Sequence, residues 1–451
     1  MQHFVALYRK IISSPTKMIM LGYGMIILIG TVLLMMPASS AAHVFTPFKE
    51  ALFTATSATC VTGLVLFDTF TYWSMFGQLV ILGMIQIGGI GFMTLTLYAI
   101  SLTKKKIGLR ERVAMQEAVS APFLSGMVRL TRFILYSTVL FEGIGAFLFA
   151  LRFCPIYGLG QGIYMAVFQS VSSFCNAGFD LVGMHGQFSS LMPYQNDPLV
   201  NLVTMALVII GGLGFYVWFD LRKNGLHIHR YTLHTKIVLL ATITLIVVGA
   251  LAFYFLERDG VLAEKSAGEQ FLNSMFQSVS PRTAGFNTVP MGLLAQSTQF
   301  VIIILMLIGG STGSTAGGIK TTTVTVMFLS VFSELRKRKA IECHKRRLPD
   351  EVLKQAACIL MLYLIFFSLA SIVMSAVENL PMNVTMFECA SAIGTVGLSL
   401  GVTPALSTFS HVILICLMFF GRVGGLTVLF AFSKTYPNAT SQLPQEKITV
   451  G

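Results

Sequence analysis

Charged residues are scarce in this chain. Only 11% of its 451 residues are Asp, Glu, Lys or Arg, whereas 55% are hydrophobic and the mean hydropathy is +0.76. An average soluble domain carries about 25% charged residues, so a chain of this length cannot cover a water-facing surface. The composition excludes a soluble enzyme and a disordered protein, and it predicts an integral membrane protein.

Residues for metal or covalent chemistry are also few. The seven cysteines form no Cys-x-x-Cys pair, and the eight histidines form no motif. We interpret the cysteines as small buried hydrophobic residues rather than as a disulfide framework or a metal site. A membrane enzyme would need clustered acids or metal ligands, but the only candidates are Glu142 and Glu388, in different repeats, and we interpret both as structural. The chain also lacks a Gly-rich nucleotide fingerprint. It is therefore predicted not to be an enzyme.

Long apolar runs are abundant. Eight of them can cross a bilayer of about 30 Å. The first is longer than the roughly 7–15 apolar residues of a signal peptide, so we interpret it as a membrane helix. The eight runs are 18–36, 79–102, 133–151, 199–219, 237–255, 300–332 (interrupted), 356–377 and 412–432.

The basic residues behind the formal charge of +12 are distributed unevenly between these runs. If the eight helices alternate in direction, 24 of the 31 basic residues fall on one side, and the other side holds only Lys49, Arg152, Arg258, Lys265 and Arg282. Cytoplasmic loops of membrane proteins carry an excess of Lys and Arg. We therefore predict a multi-pass protein with both termini in the cytoplasm, and we attribute the positive charge to membrane topology rather than to a nucleic-acid partner.

Four shorter apolar segments lie on the other side, between the helices of each pair. They cover 45–59, 163–174, 271–280 and 383–393, which is the length of a re-entrant segment rather than of a span. Each is followed by a turn that contains a glycine. The turns are Val61, Thr62 and Gly63; Asn176, Ala177 and Gly178; Thr283, Ala284 and Gly285; Thr395, Val396 and Gly397.

These segments form an internal repeat. The sequence Phe168-Gln-Ser-Val-Ser172 recurs as Phe276-Gln-Ser-Val-Ser280, and Gly88-Gly-Ile-Gly-Phe92 recurs as Gly211-Gly-Leu-Gly-Phe215. Glycine pairs at 309–310 and 424–425 are taken as the marks of the last two repeats. We predict an all-α integral membrane protein with four helix–pore helix–helix units, eight transmembrane helices in all, around one pore per protomer. The predicted units are 1–112, 113–228, 229–340 and 341–434, followed by a cytoplasmic tail, 435–451.

Four glycine turns around one axis have a specific chemical capacity. Extended backbone at membrane depth is tolerated only where it is buried in protein or lines water. Its carbonyl groups can replace the hydration shell of a monovalent cation, and the C-terminal ends of short pore helices favour positive charge. Asp68, Asp180 and Asn287 follow three of the glycines on the outer side, where acids concentrate cations. The turns therefore predict a selectivity filter.

The sixth apolar run is interrupted by a segment rich in small residues. Between 309 and 318, five of ten residues are glycine, and each costs a helix about 1 kcal/mol relative to alanine. A helix break at membrane depth must be buried in protein or line a water-filled cavity. We therefore interpret the segment as a gate in the pore rather than as a helix-packing stretch. The predicted gate residues are Gly310, Ser311, Thr312, Gly313, Ser314, Thr315, Ala316 and Gly317, with Lys320 in a secondary role.

Arg422 is a charged residue within the last apolar run. A charge at the bilayer centre costs at least about 2.5–3.5 kcal/mol on insertion scales, so the side chain should face the bundle interior. We predict that it is a positive barrier below the filter, hydrogen-bonded to the gate.

One alternative is an ion-coupled symporter for another solute, with binding sites at broken helices. It predicts two-fold inverted repeats, whereas this sequence shows four repeats of the same sense.

The four turns, the eight helices and the interrupted sixth helix resemble the Ktr/Trk/HKT superfamily of potassium transporters, over essentially the whole chain. The nearest resemblance is to the membrane subunit (KtrB/KtrD type) of bacterial Ktr systems. In this family a glycine in all four turns is associated with K+ selectivity. The resemblance therefore implies K+ uptake through the cytoplasmic membrane, with K+ bound at the turn residues and with gating by the Gly/Ser/Thr segment and a matching arginine.

The resemblance also implies partners. The family forms homodimers and is regulated by a separate cytoplasmic ring of RCK-type subunits (KtrA/KtrC type), which bind the nucleotide. The basic loops 104–112 and 336–347 are candidate docking surfaces for this ring. Whether Na+ activates or is coupled to the flux stays open.

Overall fold

The computed structural model describes residues 15–91, 127–338, 340–425 and 427–428. The basic loop 104–112 and the predicted tail 435–451 lie outside these residues, as does part of the second apolar run.

The described chain is almost entirely helical, which confirms the predicted fold class. Its only sheet within these ranges is a two-stranded hairpin, β1 (Glu342–Cys343) and β2 (Arg346–Arg347). The helices are α1 (Pro15–Met35), α2 (Phe48–Thr59), α3 (Thr69–Tyr72), α4 (Met75–Ile90), α5 (Met127–Tyr157), α6 (Leu159–Cys175), α7 (Pro198–Leu213), α8 (Phe215–Asn224), α9 (Leu233–Glu257), α10 (Ala267–Val279), α11 (Gln296–Leu307), α12 (Thr321–Leu335), α13 (Asp350–Glu378), α14 (Met382–Gly394) and α15 (Thr408–Val423).

Four helices among the described residues are long and apolar enough to cross a membrane. They are the first helix of each predicted unit: α1, α5, α9 and α13. The second helices are shorter or broken, and α4, α11, α12 and α15 each have 12–16 residues. The prediction of eight spans therefore stays a prediction, as do the boundaries of the four units.

Each predicted re-entrant segment is a short helix. These pore helices are α2, α6, α10 and α14, and each is followed by one of the four glycine turns. Phe53, Phe168, Phe276 and Phe387 are at most 1% exposed and belong to one hydrophobic core. These four residues come nine or ten positions before their glycines, so the same buried aromatic position recurs in every unit and fixes the pore helix in the bundle.

The second helices end at glycines with left-handed backbone. Gly91, Gly214 and Gly424 follow α4, α7 and α15 and have φ of 89°, 96° and 94°. Such values are readily adopted only by glycine, so the helix stops there. The predicted span 199–219 was wrong as a continuous helix, because α7 and α8 meet at Gly214 with a bend of 93°.

The close approach of these helices to the pore helices also depends on glycine. A Cβ built on Gly88, Gly211 or Gly421 would lie 2.0–2.1 Å from the carbonyl oxygen of Thr59, Phe174 or Ile393, respectively. In each unit that carbonyl belongs to the residue four positions before the turn glycine. Gly421 is therefore the counterpart of Gly88 and Gly211, and Gly424 of the predicted pair 424–425 is the counterpart of Gly91 and Gly214.

Candidate functional site

The four glycine turns meet at one place in the structure. A Cβ built on Gly63 would lie 2.5 Å from the carbonyl oxygen of Ala177. The corresponding distances are 2.9 Å from Gly178 to Ala284, 2.3 Å from Gly285 to Val396 and 2.4 Å from Gly397 to Thr62. Each glycine thus packs against the next turn in sequence order, and the fourth packs against the first. The turns form a closed ring.

The backbone of each turn follows the same course. The residue two positions before the glycine has a positive φ in all four turns: 57° at Val61, 59° at Asn176, 73° at Thr283 and 50° at Thr395. The turn glycines themselves have φ between 71° and 99°. Two left-handed residues separated by one other residue reverse the chain abruptly at the end of the pore helix, which brings the turn to the centre of the bundle.

Hydrogen bonds direct the N–H groups of the turns back towards their own pore helices. The N–H groups of Thr62, Ala177 and Val396 each donate over 2.8 Å to the carbonyl of a serine, and Ala284 does so over 2.9 Å. The N–H groups of Gly63 and Gly397 donate to the hydroxyl groups of Ser57 and Ser391.

The carbonyl oxygens of the turns have no such partners. Within the described residues, those of Thr62, Ala177, Ala284 and Val396 accept no hydrogen bond. A ring of free carbonyl oxygens is a suitable environment for a dehydrated cation.

A cavity of about 270 Å³ lies directly outside the ring. Its walls include all four turn glycines together with Asp68, Asp180 and Asn287, so the three predicted outer residues do face one vestibule. Asp68 has a second task, because its carboxylate accepts the N–H groups of Phe70 and Thr71 at the start of α3. Asp180, unlike Asp68, does not cap a helix; it accepts the N–H of Val182.

Glu388 supports the same vestibule from behind. Its carboxylate accepts hydrogen bonds from the hydroxyl groups of Ser399 and Thr403 and from the N–H of Leu400, all three of which line the cavity. Since Glu388 is fully buried, its carboxylate is a structural acid with satisfied contacts, as the sequence predicted.

The Gly/Ser/Thr segment lies between α11 and α12 and is not helical. The N–H groups of Ser311 and Thr315 donate to the carbonyls of Gly212 and Gly211, and Gly313 accepts from the N–H of Phe215. The end of α7 and the bend after it therefore hold the segment in place. The predicted interruption of this run is confirmed.

The segment also contacts the glycine turns. A Cβ built on Gly317 would lie 2.2 Å from the hydroxyl oxygen of Thr395, in the fourth turn. The hydroxyl of Thr315 donates over 3.2 Å to the carbonyl of Phe174, close to the second turn. The segment is thus adjacent to the ring, on the side away from the vestibule.

Two basic side chains bond to the segment. The ammonium of Lys320 donates to the carbonyl oxygens of Ala316 over 2.6 Å and Gly317 over 3.4 Å. The guanidinium of Arg422 donates to the carbonyls of Thr315 and Gly88, and to that of Gly89 over 3.1 Å. Arg422 therefore joins the segment to the end of α4.

The position of Arg422 follows from the repeat. Because Gly421 corresponds to Gly88 and Gly211, Arg422 stands where the first two units have Gly89 and Gly212. The sequence motifs contain the glycines at 91, 214 and 424, but the role of these residues in ending the helices was missed. The shared pattern of two glycines three residues apart was the available signal.

The comparisons with known proteins agree with this architecture. The family model described as "TrkH: Cation transport protein" matches residues 13–443. The chain is 39% identical to the Ktr system potassium uptake protein B of Bacillus subtilis, over 94% of each chain. It is 37% identical to the potassium/sodium uptake protein NtpJ of Enterococcus hirae, over 97% of each.

A solved structure shares the fold. The crystal structure of the potassium transporter TrkH from Vibrio parahaemolyticus superposes with a TM-score of 0.73, at 20% sequence identity, over 91% of this chain and 84% of that one. These similarities confirm the predicted resemblance and the prediction that the chain is not an enzyme. The chain belongs to the TrkH family of membrane cation transport proteins.

Proposed function

We propose that this protein takes up K+ across the cytoplasmic membrane, with both termini in the cytoplasm. The relatives named as potassium uptake proteins support the choice of ion. The observation that carries the proposal is the closed ring of glycine turns with four free carbonyl oxygens. Such a ring can hold a cation by backbone oxygens alone, which fits a chain with so few charged residues.

In this proposal the four turns are the selectivity filter, and K+ passes from the vestibule through the ring. The Gly/Ser/Thr segment, with Lys320 and Arg422, is the gate below it. A cation leaving the ring meets two positive side chains that are bonded to the segment. The gate opens when the segment moves away from the end of α7.

We further propose that the protein acts as a homodimer and is regulated by a cytoplasmic ring of RCK-type subunits that binds the nucleotide. The Ktr systems of the relatives support a partner subunit. The exposed hairpin β1–β2 follows directly after α12, and this helix begins at the end of the gate. A ring that binds the hairpin would thus act on the gate through one helix.

Na+ enters the proposal as an activator, because one relative is named a potassium/sodium uptake protein. The symporter alternative has no observation in its favour: the turns of all four units meet in one ring rather than in two inverted halves.

The filter is tested by Gly63→Ser. The added side chain would meet the Ala177 carbonyl oxygen at 2.5 Å, so this carbonyl must leave its position in the ring. We expect the preference for K+ over Na+ to fall by about tenfold, equivalent to about 1.4 kcal/mol. The measurement is K+ and Na+ uptake by a bacterium that lacks its own K+ uptake systems.

The matched control is Gly83→Ser, on α4 of the same unit, where an added Cβ meets no atom of the described residues within 4 Å. This variant should keep wild-type discrimination. Unchanged discrimination in Gly63→Ser would refute the filter assignment.

A further inference from the structure

Three polar side chains meet inside the bundle, behind the second glycine turn. Glu142 on α5 is only 9% exposed. Its carboxylate accepts the amide of Gln86 on α4 over 3.0 Å, and it lies 3.8 Å from the thiol of Cys175 at the end of α6. The same thiol lies 3.6 Å from the amide oxygen of Gln86. The cluster therefore joins three helices from two units.

One side of the cluster leads to the acceptors of Arg422. Gln86 lies within one turn of Gly88 and Gly89, whose carbonyls accept from the Arg422 guanidinium. Gly89 also packs on Cys175, because a Cβ built there would lie 2.5 Å from the sulfur. The position of the last turn of α4 thus depends on the cluster.

The other side leads to the gate segment. Arg422 donates to the carbonyl of Thr315, and the hydroxyl of Thr315 donates to the carbonyl of Phe174. Phe174 immediately precedes Cys175, so the contacts close into a circuit. This circuit runs from Glu142 to the end of α4, to Arg422, to the gate segment and back to the end of α6.

We propose that Glu142 is a positioning residue for the gate, acting through Arg422. Its carboxylate orients Gln86 and Cys175 and so holds the carbonyls of Gly88 and Gly89 within reach of the guanidinium. Without that carboxylate, buried donors lose their acceptor, and the end of α4 shifts away from Arg422. The gate segment then loses a support in its closed position. This inference rests on the proposed function.

The bond between the Ser170 hydroxyl and Glu142 separates this role from general packing. The hydroxyl donates to the backbone carbonyl of Glu142 over 2.6 Å. A side-chain substitution leaves that bond in place, so α6 stays attached to α5 in every variant below.

The test is K+ uptake into liposomes that contain the purified full-length protein without regulatory subunits. We expect Glu142→Leu to raise this flux by about fivefold without a change in the apparent KM for K+. Glu142→Gln retains an oxygen acceptor, so its K+ flux should stay close to the wild-type value. Gln86→Met should raise the flux as Glu142→Leu does, and it tests the same contact if the leucine variant does not fold.

The double variant Glu142→Leu/Arg422→Gln decides the mechanism. If Glu142 acts through Arg422, the double variant should show the flux of Arg422→Gln alone. Thr138→Val is the matched control, since Thr138 is a buried residue one turn earlier on α5 whose hydroxyl has no hydrogen-bond partner among the described residues. It should leave the flux unchanged.

Two outcomes would overturn the inference: wild-type flux in folded Glu142→Leu and Gln86→Met, or a double variant whose flux is the product of the single effects. The proposed function is tested separately in the same liposomes, by the K+ over Na+ discrimination of Gly63→Ser. If Glu142→Leu and Gln86→Met keep the wild-type flux while Gly63→Ser loses K+ over Na+ discrimination, the filter assignment stands and only the role of Glu142 is refuted.

Discussion

At the scale of single residues, three of the four turns hold a β-branched side chain in an unfavourable backbone conformation. Val61, Thr283 and Thr395 are β-branched and have positive φ, which is uncommon for such residues. Strain of this kind persists only where the surrounding structure enforces it, and it is concentrated at functional sites. The contacts of each glycine with the next turn supply that enforcement.

The four turn glycines should differ in their tolerance of alanine. An added Cβ would lie 2.9 Å from the neighbouring carbonyl oxygen at Gly178, but 2.3 Å at Gly285. Gly178→Ala should therefore retain more K+ over Na+ discrimination than Gly285→Ala. We expect the two discrimination ratios to differ about tenfold, which corresponds to about 1.4 kcal/mol. Competition uptake assays on both variants check this. Equal losses would mean that the distance between turns does not set discrimination.

The vestibule should make uptake sensitive to external pH. Burial raises the pKa of Asp180 to about 6 and the charge of Asp68 raises it too, while the N–H of Val182 lowers it. The carboxyl is thus ionised above about pH 6 and becomes neutral as the pH falls below it. Because negative charge concentrates cations at the mouth, the apparent affinity for K+ should decrease on acidification.

Uptake kinetics at external pH 5 and pH 7.5, together with the variant Asp180→Asn, measure this effect. The variant should have the low affinity at both values. If the wild type and Asp180→Asn change in parallel with pH, another group is responsible.

At the scale of elements, the helices that end at glycines position the Gly/Ser/Thr segment, which we propose is the gate. Gly91, Gly214 and Gly424 end three second helices at corresponding places, and the third unit has the Gly/Ser/Thr segment instead. Carbonyl groups at the end of α7 receive the N–H groups of the segment. The proposed gate is therefore held by backbone hydrogen bonds to the end of α7 and to the start of α8.

Deleting 313–317 should open the gate. The deletion removes the contact of Gly317 with Thr395, the bond of Thr315 to Phe174 and one of the three acceptors of Arg422. K+ uptake should then no longer depend on the regulatory subunits and should increase several-fold. The measurement is uptake by a K+-uptake-deficient bacterium with and without a co-expressed ring.

The control in that experiment is ion discrimination, which should remain because the glycine turns are unchanged. Uptake that still requires the regulatory subunits would show that the segment is not the gate.

The pore helices were the elements most accessible from sequence. Short apolar segments before a recurring glycine predicted α2, α6, α10 and α14 to within four residues at each end. The breaks after α4 and α7 were hidden, because the apolar runs continue across Gly91 and Gly214. Hydropathy reports the environment of a residue, whereas these breaks depend on φ and on close backbone contacts.

At the scale of the whole molecule, four units of one chain surround a single axis. The repeat in the sequence was enough to predict that the glycine turns converge. It could not predict which turn packs on which, or that Arg422 would reach the end of α4, because those contacts join residues far apart in the chain, 334 positions in the case of Arg422 and Gly88. Glu142 was likewise interpretable only as a structural acid until its neighbours were known.

The central claim is that the ring of carbonyl oxygens binds the transported cation. Its most direct test is a structure of the protein in Rb+ or Tl+, with anomalous scattering to locate the ion. We predict an anomalous peak on the axis between the carbonyls of Thr62, Ala177, Ala284 and Val396, and its loss in Gly63→Ser. Peaks that lie elsewhere in the bundle, with none on this axis, would contradict the account.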